Sequence, residues 1–308
     1  MSSRTAGAGG EAECNVAKLR QFDMLIAEAN TIREKDKILV RGLLQSFYGK
    51  KLNVGIGFER AAGSILSGDY FDLIKLPDGN YLFVFADISG HGLPAYTTLV
   101  RFRSAITICT GEAKRIYEQA GTVNTDFLVR DISMKFTDIM EEANSQDFAS
   151  VLFTFIYNER DKYHLRFYNR SMLFPVIIRK FEKRIVGVYD LNNHEKGWIP
   201  RKGYLLSGDV KSLTGENYLV TPPCEFTLYE GDSILYFSDG IVEACTRERS
   251  GEDFGIHRIT GVLTENINLM PQIIVQELFA SVYAYIGGPE NQKDDMTAVL
   301  IDFPPVSY

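Results

Sequence analysis

The feature that most constrains this chain is a set of short apolar runs that begin or end on aspartate. Leu82-Phe83-Val84-Phe85-Ala86 runs into Asp87, and Ile234-Leu235-Tyr236-Phe237-Ser238 runs into Asp239. Asp69 and Asp72 open the stretch Gly68-Asp69-Tyr70-Phe71-Asp72, and Asp294-Asp295 lead into Met296-Thr297-Ala298-Val299-Leu300-Ile301. Short continuous apolar runs of this kind read as β-strands. A carboxylate at the end of such a run sits at the rim of a core, where desolvation is costly unless something compensates it. A turn hydrogen bond satisfies one aspartate of this kind. Several of them together invite a divalent cation, because clustered carboxylates repel one another until a positive charge neutralises them. An oxygen-only donor set suits Mg2+ or Mn2+, whereas softer metals take Cys or His. The neighbouring Gly68, Gly90, Gly92 and Gly240 let backbone approach an ion or a substrate closely.

Composition narrows the partners. The 308 residues carry 33 Lys+Arg against 40 Asp+Glu, a net charge of −7. That balance argues against nucleic acid, which needs a concentrated basic face, and against docking on an anionic membrane. The longest apolar runs, Tyr81–Ala86 and Met172–Ile178, fall short of the ~20 residues needed to span a bilayer, so no membrane insertion is expected. Cys14, Cys109, Cys224 and Cys245 form no CxxC pair and no zinc spacing. They read as reduced thiols of a cytoplasmic protein. Gly55-Ile56-Gly57 lacks the third glycine of a dinucleotide loop, and no GxSxG, Walker A or HExxH segment occurs.

Along the chain, residues 1–11 are small and polar, without the apolar stretch of a signal peptide, and read as a disordered leader. Residues 12–49 read as a helical extension. Leu19, Phe22, Ile26 and Ala29 alternate at spacings of three and four, and Ile38, Leu39, Leu43, Leu44 and Phe47 resume an apolar face before Gly49. This extension either packs on its own domain or serves as a stalk for pairing and signal relay. Residues 50–305 form the main domain. Strands are expected at Asn53–Glu59, Phe148–Tyr157, Tyr163–Asn169, Phe174–Lys180, Ser233–Phe237 and Met296–Phe303, with a hairpin of Tyr70–Leu76 and Tyr81–Ala86 around Pro77-Asp78-Gly79-Asn80. Helices are expected from Pro94 onward, through Leu128–Ala143, and over Pro271–Ile286. Residues 181–202 read as a polar surface excursion, His164 as solvent-facing on a strand and His257 as part of a loop. This order predicts an α+β layered domain, not a doubly wound parallel sheet.

Ser67-Gly68-Asp69-Tyr70-Phe71-Asp72, Ala86-Asp87-Ile88-Ser89-Gly90-His91-Gly92, Tyr236-Phe237-Ser238-Asp239-Gly240-Ile241-Val242-Glu243-Ala244 and Asp294-Asp295-Met296-Thr297 resemble, in this order, the motifs of the PPM (protein phosphatase 2C-like) metal-dependent Ser/Thr phosphatases. The resemblance is closest to the bacterial SpoIIE/RsbU subfamily, and it covers about residues 50–303. It implies an αββα four-layer sandwich, two antiparallel β-sheets flanked by helices, with two Mn2+ or Mg2+ ions at one end. By position, Asp87 would bridge the ions and Ile88 would lend its backbone carbonyl. Asp239 and Asp294 would complete one ion, and Asp69 would serve the other directly or through water. Asp72 and Asp295 would stand behind these ligands. Catalysis would run through a metal-activated water, with His91 a candidate general acid for the leaving serine oxygen. The eukaryotic relatives place their histidine two residues after the bridging aspartate, whereas His91 lies four after Asp87, so a turn or packing role is the alternative.

The resemblance further implies a small anti-sigma-factor antagonist, or a similar signalling domain, as the phosphoprotein partner. A homodimer through the N-terminal helices is a second expected partnership. One segment departs from the pattern. Where many relatives carry Asn-Ala-Gly-His-x-Pro-Pro, this chain has Asn169-Arg170-Ser171-Met172-Leu173-Phe174-Pro175. Arg170 there is either a bidentate phosphate ligand or an exposed surface arginine. The departure keeps a second function in view, a catalytically silent scaffold that retained the fold.

Overall fold

A computed structural model describes residues 47, 51–64, 66–159, 162–187, 204–209, 222–245 and 252–303. The chain divides into two units, Met1–Gly42 and Leu43–Tyr308, and every described residue lies in the second. The leader at 1–11, nearly all of the 12–49 extension and residues 188–202 of the polar excursion lie outside the described residues.

The described strands are β1 (Asn53–Glu59), β2 (Tyr70–Lys75), β3 (Tyr81–Ile88), β4 (Ala149–Glu159), β5 (Lys162–Arg170), β6 (Val176–Arg179), β7 (Arg184–Gly187), β8 (Cys224–Tyr229), β9 (Ser233–Phe237) and β10 (Met296–Asp302). They form two antiparallel sheets, in the orders β1-β10-β9-β6-β7 and β2-β3-β4-β5-β8. The helices are α1 (Gly92–Ala120), α2 (Thr125–Glu142), a short α3 (Asp239–Val242), α4 (Gly255–Glu265) and α5 (Pro271–Ile286).

Strand periodicity explains why there are four layers. Side chains alternate between the faces of a strand. In β3, Leu82, Val84 and Ala86 pack under α1 and α2 with Leu99, Phe102, Ile132 and Phe136. The intervening Phe83 and Phe85 turn the other way and meet Tyr236 of β9, with ring centroids 4.5 and 6.0 Å apart. In the second sheet, Leu235 and Phe237 of β9 and Ala298 and Leu300 of β10 pack under α4 and α5 with Leu263, Ile274, Leu278 and Val282. Each sheet therefore has one face on helices and one face on the other sheet. This is the αββα sandwich. Phe47, placed by its sequence on a helical extension, is fully buried against Tyr81 of β3, with ring centroids 4.6 Å apart. The core of the domain therefore takes in a residue before position 50.

Local chemistry sets several boundaries. The β2–β3 reversal closes with Leu76 N–H on the Asn80 carbonyl and an Asp78 side chain that accepts from Asn80 N–H. The Asn124 side chain accepts from Phe127 N–H and starts α2. Pro271 opens α5, where a missing N–H costs nothing.

Two expectations need correction. Residues 181–202 are not wholly a surface excursion, because β7 lies within them and pairs with β6 in register Val176↔Gly187. His257 lies in α4, not in a loop. Its buried Ile259, Val262 and Leu263 do fall at helical spacing, so the stripe was there to read, though in a helix of only 11 residues. His164 stands on β5, partly exposed, with Nε2 3.4 Å from Glu225.

Candidate active site

The antiparallel registers bring the aspartates to one end of the sandwich. Tyr70 pairs with Ala86, so Asp69, just before β2, falls opposite Asp87, one residue further along β3. In the other sheet Phe237 pairs with Ala298, which sets the chain leaving β9 beside the chain entering β10. Ser238 N–H donates to the Thr297 carbonyl at 3.0 Å, and Thr297 N–H donates to Ser238 Oγ at 2.9 Å. Asp239 follows Ser238 directly, and Asp294 lies just before the entry to β10.

Side chains then tie one sheet to the other. Thr297 Oγ1 donates to Asp69 Oδ2 at 2.6 Å. Asp295 accepts from Ala61 N–H at 2.9 Å and from Gly68 N–H at 2.8 Å, one on each carboxylate oxygen. Two backbone approaches leave no space for a side chain. A Cβ on Gly68 would lie 2.6 Å from the Ile88 carbonyl oxygen, and one on Gly240 would lie 2.0 Å from the Asp295 carbonyl oxygen. The loop after Asp87 is fastened as well, by Ser89 N–H on the Phe148 carbonyl and Phe148 N–H on Ser89 Oγ, both at 2.9 Å.

The electrostatics of this end are unbalanced. Burial holds the Asp87 carboxyl well above its usual range, and the charges of Asp69, Asp239 and Asp294 add to the effect. Asp87 also shares a side-chain hydrogen bond with Asp239. Burial pushes Asp69 up to about 8; the hydroxyls of Thr297 and Ser238 oppose this, while Asp295 and Asp239 reinforce it. Asp294 is raised too, first by burial although one side stays open to solvent, and then by Asp239 and Asp295. The Asp295 N–H and His91 act in the other direction on Asp294. Asp69, Asp87 and Asp294 hold protons above their ordinary range, and the Asp239 charge acts on all three, so the site is short of positive charge. Divalent cations bound there would supply that charge in place of protons. The donors are oxygens throughout, with the Ile88 carbonyl beside Gly68, and they fit Mg2+ or Mn2+. Among the described residues no three His, Cys, Asp or Glu side chains lie close enough together to hold a metal ion as they stand. Their mutual repulsion is what an ion would remove.

The remaining sequence candidates fall in different places. Asp72 is held within its own strand, accepting from Tyr70 OH at 3.0 Å and from Leu73 N–H at 2.8 Å. His91 is exposed, directly before α1, and close enough to Asp294 to lower its proton affinity. Arg170 requires a correction. It is 1% exposed, so it is neither a surface arginine nor open to a substrate, and its Nη1 donates to the Asn169 carbonyl. Strand alternation puts it on the face of Tyr168, under the helices, while Asn169 pairs with Leu152 on the inner face. Asn169 pins the following turn by accepting from Met172 N–H at 2.7 Å and donating to its carbonyl at 2.9 Å. Thr297 and Ser238, although parts of the motifs, carry no role that their sequence positions assign. Their hydroxyls support Asp69, a relation that joins residues 228 positions apart for Thr297.

Comparison with known proteins agrees with this geometry. Residues 211–304 match the model of the SpoIIE family, stage II sporulation protein E. Protein IcfG of Synechocystis sp. is 24% identical over 252 residues, which are 77% of this chain and 36% of that protein. The chain thus spans about a third of the length of that relative. Among solved structures, the SiaA-PP2C domain of Pseudomonas aeruginosa superposes with a TM-score of 0.64 at 14% identity, covering 93% of this chain and 98% of that one. The chain has the PP2C-type phosphatase fold, and its C-terminal third resembles the SpoIIE family. The phosphatase domain of SpoIIE from Bacillus subtilis gives a TM-score of 0.52 at 14% identity, over 84% of this chain and 94% of that one. Among the described residues no helix is long and apolar enough to cross a membrane.

Proposed function

We propose that this domain is a metal-dependent protein serine/threonine phosphatase. What supports the reading is that Asp69, Asp87, Asp239 and Asp294 come to one end of the sandwich, where burial first and the neighbouring carboxylates after it raise the proton affinity of Asp69, Asp87 and Asp294. Asp87, Asp239, Asp294, Asp69 and the Ile88 carbonyl would hold two Mn2+ or Mg2+ ions. Bound there, the ions supply Lewis-acid chemistry, neutralising phosphoryl oxygens and acidifying water. The chain's own contribution is placement. Thr297 and Ser238 orient Asp69, and Asp295 fixes Ala61 and Gly68 so that the β2 entry lies against β10. His91, exposed near Asp294, would give a proton to a departing serine oxygen in this reading.

The substrate in this reading is a phosphorylated anti-sigma-factor antagonist or a similar small signalling domain, met in the cytoplasm. The 12–49 extension pairs two copies of the chain. Light scattering tests the pairing: removing residues 1–30 should halve the measured mass, and an unchanged mass would dismiss it. The scaffold alternative drew on the departure at Asn169–Pro175. Arg170 and Asn169 give that segment a packing role, so the departure leaves the aspartate set intact. The test is phosphate release from a phosphoserine peptide. Wild-type chain should turn over with Mn2+ and stop with EDTA, and Asp87→Asn or Asp239→Asn should lose at least about a hundredfold in kcat while keeping the circular dichroism of the fold. A wild-type chain inert in excess Mn2+ would leave the scaffold reading standing.

A further inference from the structure

Beside Asp294 an open cavity of about 160 Å³ lies between the turn after β9 and the segment leading into β10. Ala244, Ile286 and Met296 give it apolar walls, and Glu243, Asn291, Gln292, Lys293 and Asp294 make up its polar side, with Lys293 the one cation among these lining residues. At roughly 30 Å³ per water, the space holds about five waters or one side chain of an extended peptide. Lys293 is exposed, directly precedes Asp294, and its ammonium lies 3.2 Å from Cys245 Sγ, also in the cavity wall. A thiol is a weak acceptor. An ammonium held by one is positioned yet easily transferred to an anionic oxygen, where the charge-assisted bond is much stronger. This places a cation next to an acidic centre that must admit an anion.

We propose that this cavity is a substrate subsite and that Lys293 binds an anionic oxygen of the phosphoprotein, either of the phosphoryl group or of an acidic side chain flanking the phosphoserine. The inference rests on the phosphatase reading above. An incoming carboxylate or phosphoryl oxygen displaces the thiol from Lys293, and the neighbouring side chain fills the apolar part of the cavity. Lys293 acts on binding, so its loss should appear in KM and leave kcat nearly unchanged.

The experiment compares wild-type, Lys293→Met and Lys293→Arg chains, all with Mn2+, on p-nitrophenyl phosphate, on a phosphoserine peptide with acidic flanks and on the same peptide with neutral flanks. Lys293→Met should raise KM about tenfold with kcat within about twofold, and Lys293→Arg should restore it. A rise on all three substrates assigns Lys293 to the phosphoryl group, and a rise on the acidic peptide alone assigns it to the flank. Unchanged KM on all three overturns the proposal. A second measurement needs no turnover. A peptide bearing a phosphonate mimic of phosphoserine should slow iodoacetamide labelling of Cys245 several-fold and leave Cys224 unaffected; equal labelling with and without the peptide overturns the subsite. Failure of wild type to hydrolyse any substrate strikes the phosphatase reading, while the Cys245 footprint still judges the cavity.

Discussion

At the scale of single residues, the site is a set of acids held against their preference for charge. Asp69, raised from 3.8 to about 8, binds a proton more tightly in the folded chain than in the unfolded one. The folded state then holds more protons across that interval, so stability is full below about pH 4 and is lost as pH rises toward 8. The metal-free chain should therefore melt at a lower temperature at pH 8 than at pH 5, and Mn2+ should raise the midpoint more at pH 8, where protons compete less. Scanning calorimetry with EDTA and with Mn2+ reads both, and a metal-free chain that melts higher at pH 8 would contradict the account. Asp295 has a different task. Replacing it with alanine strands the Ala61 and Gly68 N–H groups and should cost about 2–4 kcal/mol in urea unfolding. Thr297→Val should cost less, about 1 kcal/mol. The aspartates were visible in the sequence because each borders an apolar run. The clamps were not, because Asp295 reaches partners 234 and 227 positions away. Arg170 misled for a related reason, since an isolated arginine carries no sign of which strand face it occupies.

At the scale of elements, legibility followed the strength of the local pattern. β1, β9 and α5 lie where their sequences place them, and for β9 and α5 an apolar run and an opening proline leave little choice of boundary. β8 went unseen. Its Cys224-Glu225-Phe226-Thr227-Leu228-Tyr229 does alternate, but it is a sheet edge with Leu228 alone fully buried, and alternation that weak is common in loops. The tightest element contact at the site is the start of α3 against the entry to β10, where Gly240 meets the Asp295 carbonyl. Gly240→Ala should force that segment aside, costing about 1–3 kcal/mol and weakening Mn2+ binding through Asp239 and Asp294. Urea unfolding together with a metal titration checks it; a variant as stable as wild type with unchanged affinity would refute the close approach.

At the scale of the whole molecule, the net charge of −7 excludes some partners and names no function. The order of motifs along the chain was informative because the sandwich brings the ends of β3 and β9 and the starts of β2 and β10 to one place. Its inner layer is aromatic, and it extends to Phe47, which also lies near Tyr163 and Phe303 at 5.9 and 6.0 Å between ring centroids. Phe47→Ala should cost about 3–5 kcal/mol, measured by urea unfolding, so a chain beginning at residue 43 should be clearly more stable than one beginning at 51. The central claim is that the four converging carboxylates exist to hold metal ions. Calorimetric titration of the metal-free chain with Mn2+ tests it most directly. The account predicts saturable binding of two ions per chain, reduced in stoichiometry by Asp87→Asn and weakened by Asp239→Asn. Wild-type chain that binds no Mn2+, or binds it equally well after both substitutions, would contradict it.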